Sequence, residues 1–253
     1  MSGGFVFSPG SFISEVPQDP NHYFATEEVV MTVRAYTHGY DMFHPHLPLL
    51  WHYYGSQSPK VWDDGPVASS ARGSFDVPIS DRASTSARRA RSLLGMTDEL
   101  PEGGGHGFGL GVERTLRQYE RYAGLSFPLR GVHNSATGMA EPNDLHQSVP
   151  SAEWEKELIC KRSLRVVISY RPLESIEIHS AQVAMVTERG EATVVHQLSP
   201  QDIITLIEAS SLEVLYEHSS GPQDLPVAFL VEAVTSHPDA QQFFSVAAQE
   251  IVE

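Results

Sequence analysis

The feature that most constrains the fold of this chain is a change of residue character near Trp154. Beyond it the sequence carries a series of β-branched runs, LRVVISY, SIEIHSAQVAMV, ATVVHQL, LEVLYEH and PVAFLVEAV. Such runs favour strands, TERGEATV predicts a hairpin turn, and SPQDIITLIEAS predicts a short helix capped at Ser199. We therefore expect residues 151–253 to form a small, mostly-β accessory domain.

A helix is predicted near the beginning of the chain. Thr26 is a suitable N-cap, Glu27 and Glu28 fall in the first turn, and apolar residues then recur at helical spacing. Gly39 supplies a C-terminal stop. The helix should span about residues 27–38.

Short helices and irregular segments are predicted for the rest of the first region. Two further helices should end at Gly95 and Gly124, and HLPLLWHYY, after Pro45, predicts an aromatic edge strand. A polar stretch over residues 131–150 predicts a linker. The first domain should therefore comprise residues 1–130.

Composition excludes several classes of protein. The net charge is −15, with 11 Lys and Arg against 14 Asp and Glu through Arg130, and 6 against 18 beyond it. An acidic surface repels phosphate backbones and anionic lipids, so we expect neither nucleic acid nor a membrane surface as partner. No apolar run approaches the roughly 20 residues of a membrane span, and no secretory signal is recognised. A single cysteine, Cys160, fits a reducing compartment, so we expect a cytoplasmic protein.

Glu27 and Glu28 have two interpretations. Acidic residues in the first turn of a helix interact favourably with its dipole, which is a purely structural role. A carboxylate at that position could also accept a proton from a hydroxyl group. The two residues alone do not decide between these roles.

Three histidines form a second candidate group. His44, His46 and His52 share one parity and could lie on one strand face, as in a cupin-like metal site, although Pro48 interrupts that register. Each histidine taken singly favours a hydrogen-bonded structural role. The run GGGHGFGLG lacks the ending of a phosphate-binding loop and predicts a flexible connection. Cys160 has no recognisable catalytic partner and is interpreted as structural.

The order of motifs in the first region resembles a known enzyme family. The stretch SGGFVFSPGSFISEVPQDPNHYFATEEVVMTVRAYTHGYDMFHPHLPLLWHYY, followed by LLG, GLG and RTLRQYERYAGLSF, is similar to the cytoplasmic N-acetylglucosaminyltransferases. Eukaryotic members of that family modify hydroxyproline on a ubiquitin-ligase adaptor. The resemblance covers about residues 2–130. It implies an α/β fold of the GT-A type, a UDP-sugar donor held through a divalent cation such as Mn²⁺, and a hydroxyl acceptor on a protein or glycan.

The resemblance also implies roles for individual residues. Glu27 and Glu28 match the catalytic acidic pair on the acceptor side. His52 matches a metal ligand. Substrate-binding positions are matched by Gly3 and Gly4, which approach the donor sugar, by His38 and Asp41 within THGYD, and by Trp51.

Two departures from the family pattern affect these expectations. Ala25 and Thr26 stand where the family has a glycine before the acidic pair. The family also places nucleotide-binding strands and an Asp-containing metal motif before SGGF, so this chain resembles the C-terminal portion of a transferase. We therefore expect it to lack activity without a missing N-terminal half. The alternative is a non-catalytic module, derived from such an enzyme, that binds a glycan or protein.

Overall fold

The computed structural model divides into two compact units, Met1–Ala123 and Gly124–Glu253. The residues that it describes are 5–23, 26–43, 46–51, 79–99, 107–137, 150–171, 176–237 and 239–251. Within these ranges, no helix has both the length and the apolar character required to cross a membrane.

The first unit is helical in its described part. Its helices are α1 (Phe12–Glu15), α2 (Thr26–Thr37), α3 (Ile79–Leu93) and α4 (Leu116–Ala123). α2 packs against both α3 and α4. The central position of α2 follows from its sequence, because four residues at helical spacing are all buried: Val30, Val33, Arg34 and Thr37.

Small apolar clusters hold this unit together. Phe12 and Val16 pack with Ala35 of α2, and the ring of Phe12 meets that of Tyr40 edge-on at 5.1 Å. On the other side, Tyr36 contacts aromatic rings of α4 at centroid distances of 5.0 and 5.5 Å. α2 is therefore the element around which the first unit is built.

The helix predictions for this region are confirmed. α2 begins at Thr26 and ends before Gly39, whose φ of 94° lies in the left-handed region that glycine adopts without strain. The two other predicted helices end before glycines with positive φ, Gly95 and Gly124. The predicted edge strand is wrong for residues 46–51, which form no strand. Pro48 has no amide hydrogen to give to a sheet.

The second unit consists mainly of strands in its described part. The strands are β1 (Leu125–Ser126), β2 (Gly131–His133), β3 (Leu158–Tyr170), β4 (Ile178–Thr187), β5 (Ala192–Gln197), β6 (Ser211–Ser220), β7 (Pro226–Thr235) and β8 (Phe244–Ile251). Two helices interrupt them, α5 (Ser151–Lys156) and α6 (Pro200–Ala209), with 3₁₀ turns at Asn134–Thr137, Pro222–Asp224 and Ala240–Phe243.

The strands form two antiparallel sheets. One has the order β1-β2-β3-β6, with β8 also paired to β3, and the other has the order β5-β4-β7. Alternate residues of β3 from Leu164 to Tyr170 are buried and pack with residues of β4, β7 and α6 in one apolar core. The predicted hairpin turn and the capping of α6 at Ser199 are both confirmed, since Gly190 N–H donates to Thr187 O at 2.9 Å and Ser199 forms a reciprocal capping box.

The chain thus mixes helices and antiparallel sheets, in the broad α/β class. No parallel strand pair occurs among the described residues, so the GT-A arrangement stays a prediction. The second compact unit begins at Gly124 and includes β1 and β2, whereas the sequence assigned residues 124–130 to the first domain. These strands are too short to leave a periodic pattern, and most of the predicted linker, residues 138–149, lies outside the described residues.

Candidate functional site

Glu27 lies in the first turn of α2 with one carboxylate oxygen buried. Its Oε2 has no hydrogen-bond partner among the described residues, while the residue as a whole is half-buried and Glu28 is exposed. Buried polar atoms are almost always hydrogen-bonded, so this unsatisfied oxygen requires an explanation, and a catalytic role is one of those that apply to such atoms. Glu27 therefore has an unused acceptor beside the start of the helix.

A buried polar cluster holds the start of α2 against α3. Ser86 Oγ accepts a hydrogen bond from Tyr23 N–H at 2.8 Å and shares another with the hydroxyl of Thr26. His22 Nδ1 lies 3.3 Å from Thr26 Oγ1 and 3.4 Å from Ser86 Oγ. Because Thr26 directly precedes Glu27, the cluster fixes the backbone that carries this carboxylate.

An ion pair extends the cluster. Arg89 pairs with Asp19, and Asn21 donates to the same carboxylate from its backbone and its side chain, at 2.9 and 3.1 Å. Burial is the largest single influence on the pKa of Asp19 and would raise it. The hydrogen bonds from Arg89 and Asn21, together with the charge of Arg89, outweigh burial and hold that pKa below its usual value. Burial lowers the pKa of His22, and the carboxylate of Asp19 offsets this only in part. Near neutral pH the pair is therefore an ionised acid beside a neutral imidazole.

Arg34 joins three segments of the first unit behind the C-terminal half of α2. Its side chain is fully buried. Nε donates to Gly109 O at 3.1 Å, Nη2 donates to Gly107 O at 2.9 Å, and Nη1 donates to Pro17 O. These bonds satisfy a buried charge, so its guanidinium acts as a structural bridge.

Gly111 lets the glycine-rich segment approach the end of α2. Its N–H donates to Thr37 Oγ1 at 2.9 Å, and a Cβ at this position would lie 2.3 Å from Thr37 O. The N–H groups of Glu113 and Arg114 both donate to that carbonyl, at 3.1 Å. The last carbonyls of a helix lack partners within the helix, and this segment supplies them. Residues 111–115 are therefore docked against α2, and α4 begins only after them.

An open cleft of about 330 Å³ lies beside this end of α2. Its lining includes Glu15, Pro17, His38, Gly107, Gly109 and Leu110. His38 Nδ1 lies 2.7 Å from Arg34 O. Since a carbonyl oxygen can only accept, Nδ1 carries the hydrogen, and in the neutral form of an imidazole bonded in this way Nε2 is an acceptor. The carboxylate of Glu15 accepts from the hydroxyl of Tyr40.

The other predicted site residues within the described ranges do not line this cleft. Asp41 Oδ1 lies 2.6 Å from Arg114 Nη2 in an ion pair, with 67% of the Asp41 side chain exposed. Trp51 is 83% exposed. The positions of three predicted site residues, Gly3, Gly4 and His52, lie outside the described residues.

Glu27 and His38 lie at opposite ends of α2. At the rise of an α-helix, about 1.5 Å per residue, they are roughly 16 Å apart along the axis. A single sugar ring is much shorter than this distance. The predicted catalytic carboxylate and the predicted substrate-binding histidine therefore mark two separate places on the first unit.

No metal site can be assembled from the described residues. They contain no group of three or more His, Cys, Asp or Glu side chains that could hold a metal ion. His46 is exposed, while His44 and His52 lie outside the described ranges. Metal affinity requires several ligands in a fixed geometry. The described residues alone do not fit Mn²⁺, and the cation stays a prediction.

Cys160 is fully buried in the second unit, where it packs with Trp154 and Leu158. Burial raises the pKa of its thiol, although the charge of Arg162 opposes this effect. A buried thiol with a raised pKa is a poor nucleophile at neutral pH. This environment favours the structural interpretation.

Except for His38, sequence reasoning missed the residues that build the cleft. Arg34 occupies the buried face of α2 between Val33 and Thr37, and a charged residue at such a position signals a buried hydrogen-bonding role. The alternating glycines of GGGHGFGLG predict a flexible connection, but the carbonyl groups of Gly107 and Gly109 accept hydrogen bonds from Arg34. The contribution of Glu15 left no signal in the sequence.

Comparison with known proteins identifies the family. Neither a curated protein nor a solved structure matches the chain. A family model described as glycosyltransferase (GlcNAc) matches residues 1–128, just over half of the 253 residues. This range contains the four helices described in the first unit, with Glu27, the cleft and His38. The chain belongs to the GlcNAc glycosyltransferase family.

Proposed function

We propose that this protein transfers N-acetylglucosamine from a UDP-sugar to a hydroxyl group on a protein or glycan acceptor. Membership of the family supports sugar transfer. The observation that carries the chemistry is the buried Oε2 of Glu27, which has no hydrogen-bond partner among the described residues. Such an oxygen can accept the hydrogen of an incoming hydroxyl group.

In the proposed reaction Glu27 is the general base. The acceptor oxygen bonds to the anomeric carbon of the sugar, the bond between that carbon and the diphosphate oxygen breaks, and UDP leaves with the electron pair. The proton of the acceptor hydroxyl passes to Oε2 of Glu27. A positioned base of this kind contributes about 10²–10⁴-fold to a rate.

The surrounding contacts support this role. Thr26, directly before Glu27, is bound to Ser86 and lies beside His22, so the backbone at the start of α2 is held in place. Fixed positioning of a catalytic group removes the need to order it during the reaction. This rigidity suits a base better than an exposed carboxylate would.

Two parts of the proposal involve groups beyond the described residues. A divalent cation, Mn²⁺, would offset the charge of the donor diphosphate, with His52 as its predicted ligand. The resemblance also predicts that nucleotide-binding residues outside this chain take part. The assay is therefore run on this chain alone and on the longest product that its gene encodes.

The test measures transfer directly. The protein is incubated with UDP-N-acetylglucosamine, with and without Mn²⁺, and with hydroxyproline peptides, serine peptides or glycans as acceptors. Mass spectrometry detects the added sugar. We expect Glu27→Gln to lower the rate at least about 100-fold, and the control Glu188→Gln, which changes an exposed glutamate of the second unit, to leave it unchanged. Absence of transfer by the gene's longest product with every acceptor, or full activity of Glu27→Gln, would contradict the proposal.

A second candidate is a glycan-binding module without chemistry. Phe43 and Trp51 are 89% and 83% exposed, and aromatic rings of this kind offer flat apolar faces against which sugars pack. This function predicts that Trp51→Ala loses glycan binding while Glu27→Gln binds like the unaltered chain. Measured sugar transfer that depends on Glu27 would exclude it.

A further inference from the structure

We propose that the cleft beside the C-terminal end of α2 is a subsite for one neutral sugar ring, with His38 Nε2 and the Glu15 carboxylate accepting hydrogen bonds from its hydroxyl groups. The inference rests on the proposed sugar transfer. It adds a subsite at the end of α2 opposite to Glu27, roughly 16 Å away along the helix.

The size of the cleft fits a small ligand. Its volume is about 330 Å³, at the lower end of the roughly 300–1,000 Å³ typical of ligand pockets. Such a space suits a single sugar ring better than a whole nucleotide sugar.

The polar groups of the cleft fit hydroxyl donors. His38 Nδ1 is committed to Arg34 O at 2.7 Å, and among the described residues Nε2 has no hydrogen-bond partner. Glu15 accepts from Tyr40, and an ionised carboxylate has several acceptor positions, so it can accept further bonds. Two acceptors on one cleft match the several hydroxyl donors of a sugar ring.

Apolar surface accompanies these acceptors. Pro17 and Leu110 also line the cleft. A sugar ring has one face of C–H groups that prefers apolar contact, while its edges carry hydroxyl groups. The combination of apolar wall and polar acceptors therefore fits a sugar better than an ion.

Charge argues against a phosphate ligand. Among the described residues, the guanidinium bonded to the walls is that of Arg34, which is fully buried and donates to Pro17, Gly107 and Gly109. It therefore presents no exposed donor to the cleft. The carboxylate of Glu15 would repel a phosphate group. The ligand should accordingly be neutral.

The cleft is also preformed. Arg34 holds Pro17 on one wall and the carbonyls of Gly107 and Gly109 on the other. A site whose walls are already connected loses little entropy on binding. Weak but measurable affinity for a free sugar is therefore expected.

The test measures the binding of free N-acetylglucosamine to the full chain by saturation-transfer NMR. The sample contains no sugar donor and no acceptor, so no transfer takes place. We expect binding, and no competition by UDP. His38→Asn retains a donor near Arg34 O but removes the acceptor at Nε2, so it should weaken binding at least tenfold. The matched control His179→Asn changes an exposed histidine of the second unit and should leave binding unchanged.

A second variant tests the cleft without altering its histidine. A Cβ at Gly109 meets nothing within 4 Å, so Gly109→Val should fold normally while narrowing the cleft and weakening sugar binding. No binding to the unaltered chain, competition by UDP, or unchanged binding by both His38→Asn and Gly109→Val would overturn the proposal.

Further binding measurements distinguish this proposal from the proposed function. They also show which substrate supplies the bound sugar. Glu27→Gln should bind N-acetylglucosamine normally even though it loses transfer, so the two proposals can fail independently. Because the donor sugar must react beside Glu27, roughly 16 Å away along α2, competition by UDP-N-acetylglucosamine would contradict a separate subsite. Competition by an acceptor glycan alone would assign the subsite to the acceptor and support the proposal.

Discussion

Arg34 and Gly107 are joined by a hydrogen bond of 2.9 Å, from guanidinium Nη2 to the backbone carbonyl, between residues 73 positions apart in the chain. The same guanidinium reaches Pro17 and Gly109. A fully buried charge is tolerated because these carbonyls surround it. One side chain thus connects α2 to both walls of the cleft.

Replacing Arg34 by leucine should destabilise the first unit. The substitution removes three hydrogen bonds from a charged donor, and each such bond contributes at least about 1 kcal/mol. We expect the free energy of unfolding to fall by about 3 kcal/mol in urea denaturation followed by circular dichroism. The control Arg165→Leu removes an ion pair with Glu213 whose side chains are 48% and 52% exposed, and should cost less than about 1 kcal/mol. Equal effects of the two substitutions would contradict this account.

Gly111→Ala should loosen the glycine-rich segment from α2. A Cβ at position 111 would lie 2.3 Å from Thr37 O, so the backbone must shift, at a cost of about 1–3 kcal/mol. Hydrogen exchange of the Glu113 and Arg114 amides, which both donate to Thr37 O, should become faster. Gly109→Ala is the matched control, because its Cβ meets nothing within 4 Å. Unchanged exchange in Gly111→Ala would show that this contact does not fix the segment.

His22 should make stability depend on pH. Burial lowers its pKa below the ordinary 6.5, and Asp19 opposes this effect while Arg89 and Arg34 add to it. The unfolded chain therefore binds a proton more readily than the folded one, and stability falls as the pH drops below about 6.5. The lowered pKa of Asp19 adds a separate loss below its ordinary value of 3.8.

The measurement is the free energy of unfolding between pH 5 and 8. His22→Asn should flatten the curve in this window, since an amide does not titrate there. His179→Asn, which changes an exposed histidine, should leave the slope as it is. A slope that persists undiminished in His22→Asn would assign the pH dependence to other groups.

Short sequence patterns predict the helices and strands whose ends and faces are determined by neighbouring residues. Thr26, Glu27 and Gly39 define the ends of α2, and the β-branched runs define strands β3 to β7. The segment FSVAAQEI forms β8, but its alanines, glutamine and glutamate give little strand preference, so its sequence does not predict a strand. HLPLLW had strand composition but no strand among the described residues to pair with.

The candidate site was harder to predict, for a physical reason. The order of motifs indicates Glu27 and His38 as site residues, but the burial of Glu27 Oε2 depends on tertiary packing that no short motif encodes. The bonds from Arg34 to Gly107 and Gly109 span more than 70 positions. Residue type could indicate that Arg34 needed acceptors, but not where in the chain they would lie.

The proposed catalytic residue Glu27 should lower the free energy of unfolding of the chain. Its buried Oε2 lacks a partner among the described residues, which costs about 1–3 kcal/mol, while its place in the first turn of α2 returns only about 0.3–1 kcal/mol through the helix dipole. Glu27→Leu should therefore raise the free energy of unfolding by roughly 1 kcal/mol and abolish sugar transfer.

The comparison variant is Glu28→Leu. Glu28 shares the first turn of α2 but is exposed, so its replacement loses the favourable dipole interaction without relieving any buried oxygen. Urea denaturation should show Glu28→Leu slightly less stable than the unaltered chain and Glu27→Leu more stable. If both substitutions destabilise the chain equally, Glu27 Oε2 has a structural partner. The oxygen is then not available to accept a hydrogen bond from an acceptor hydroxyl group.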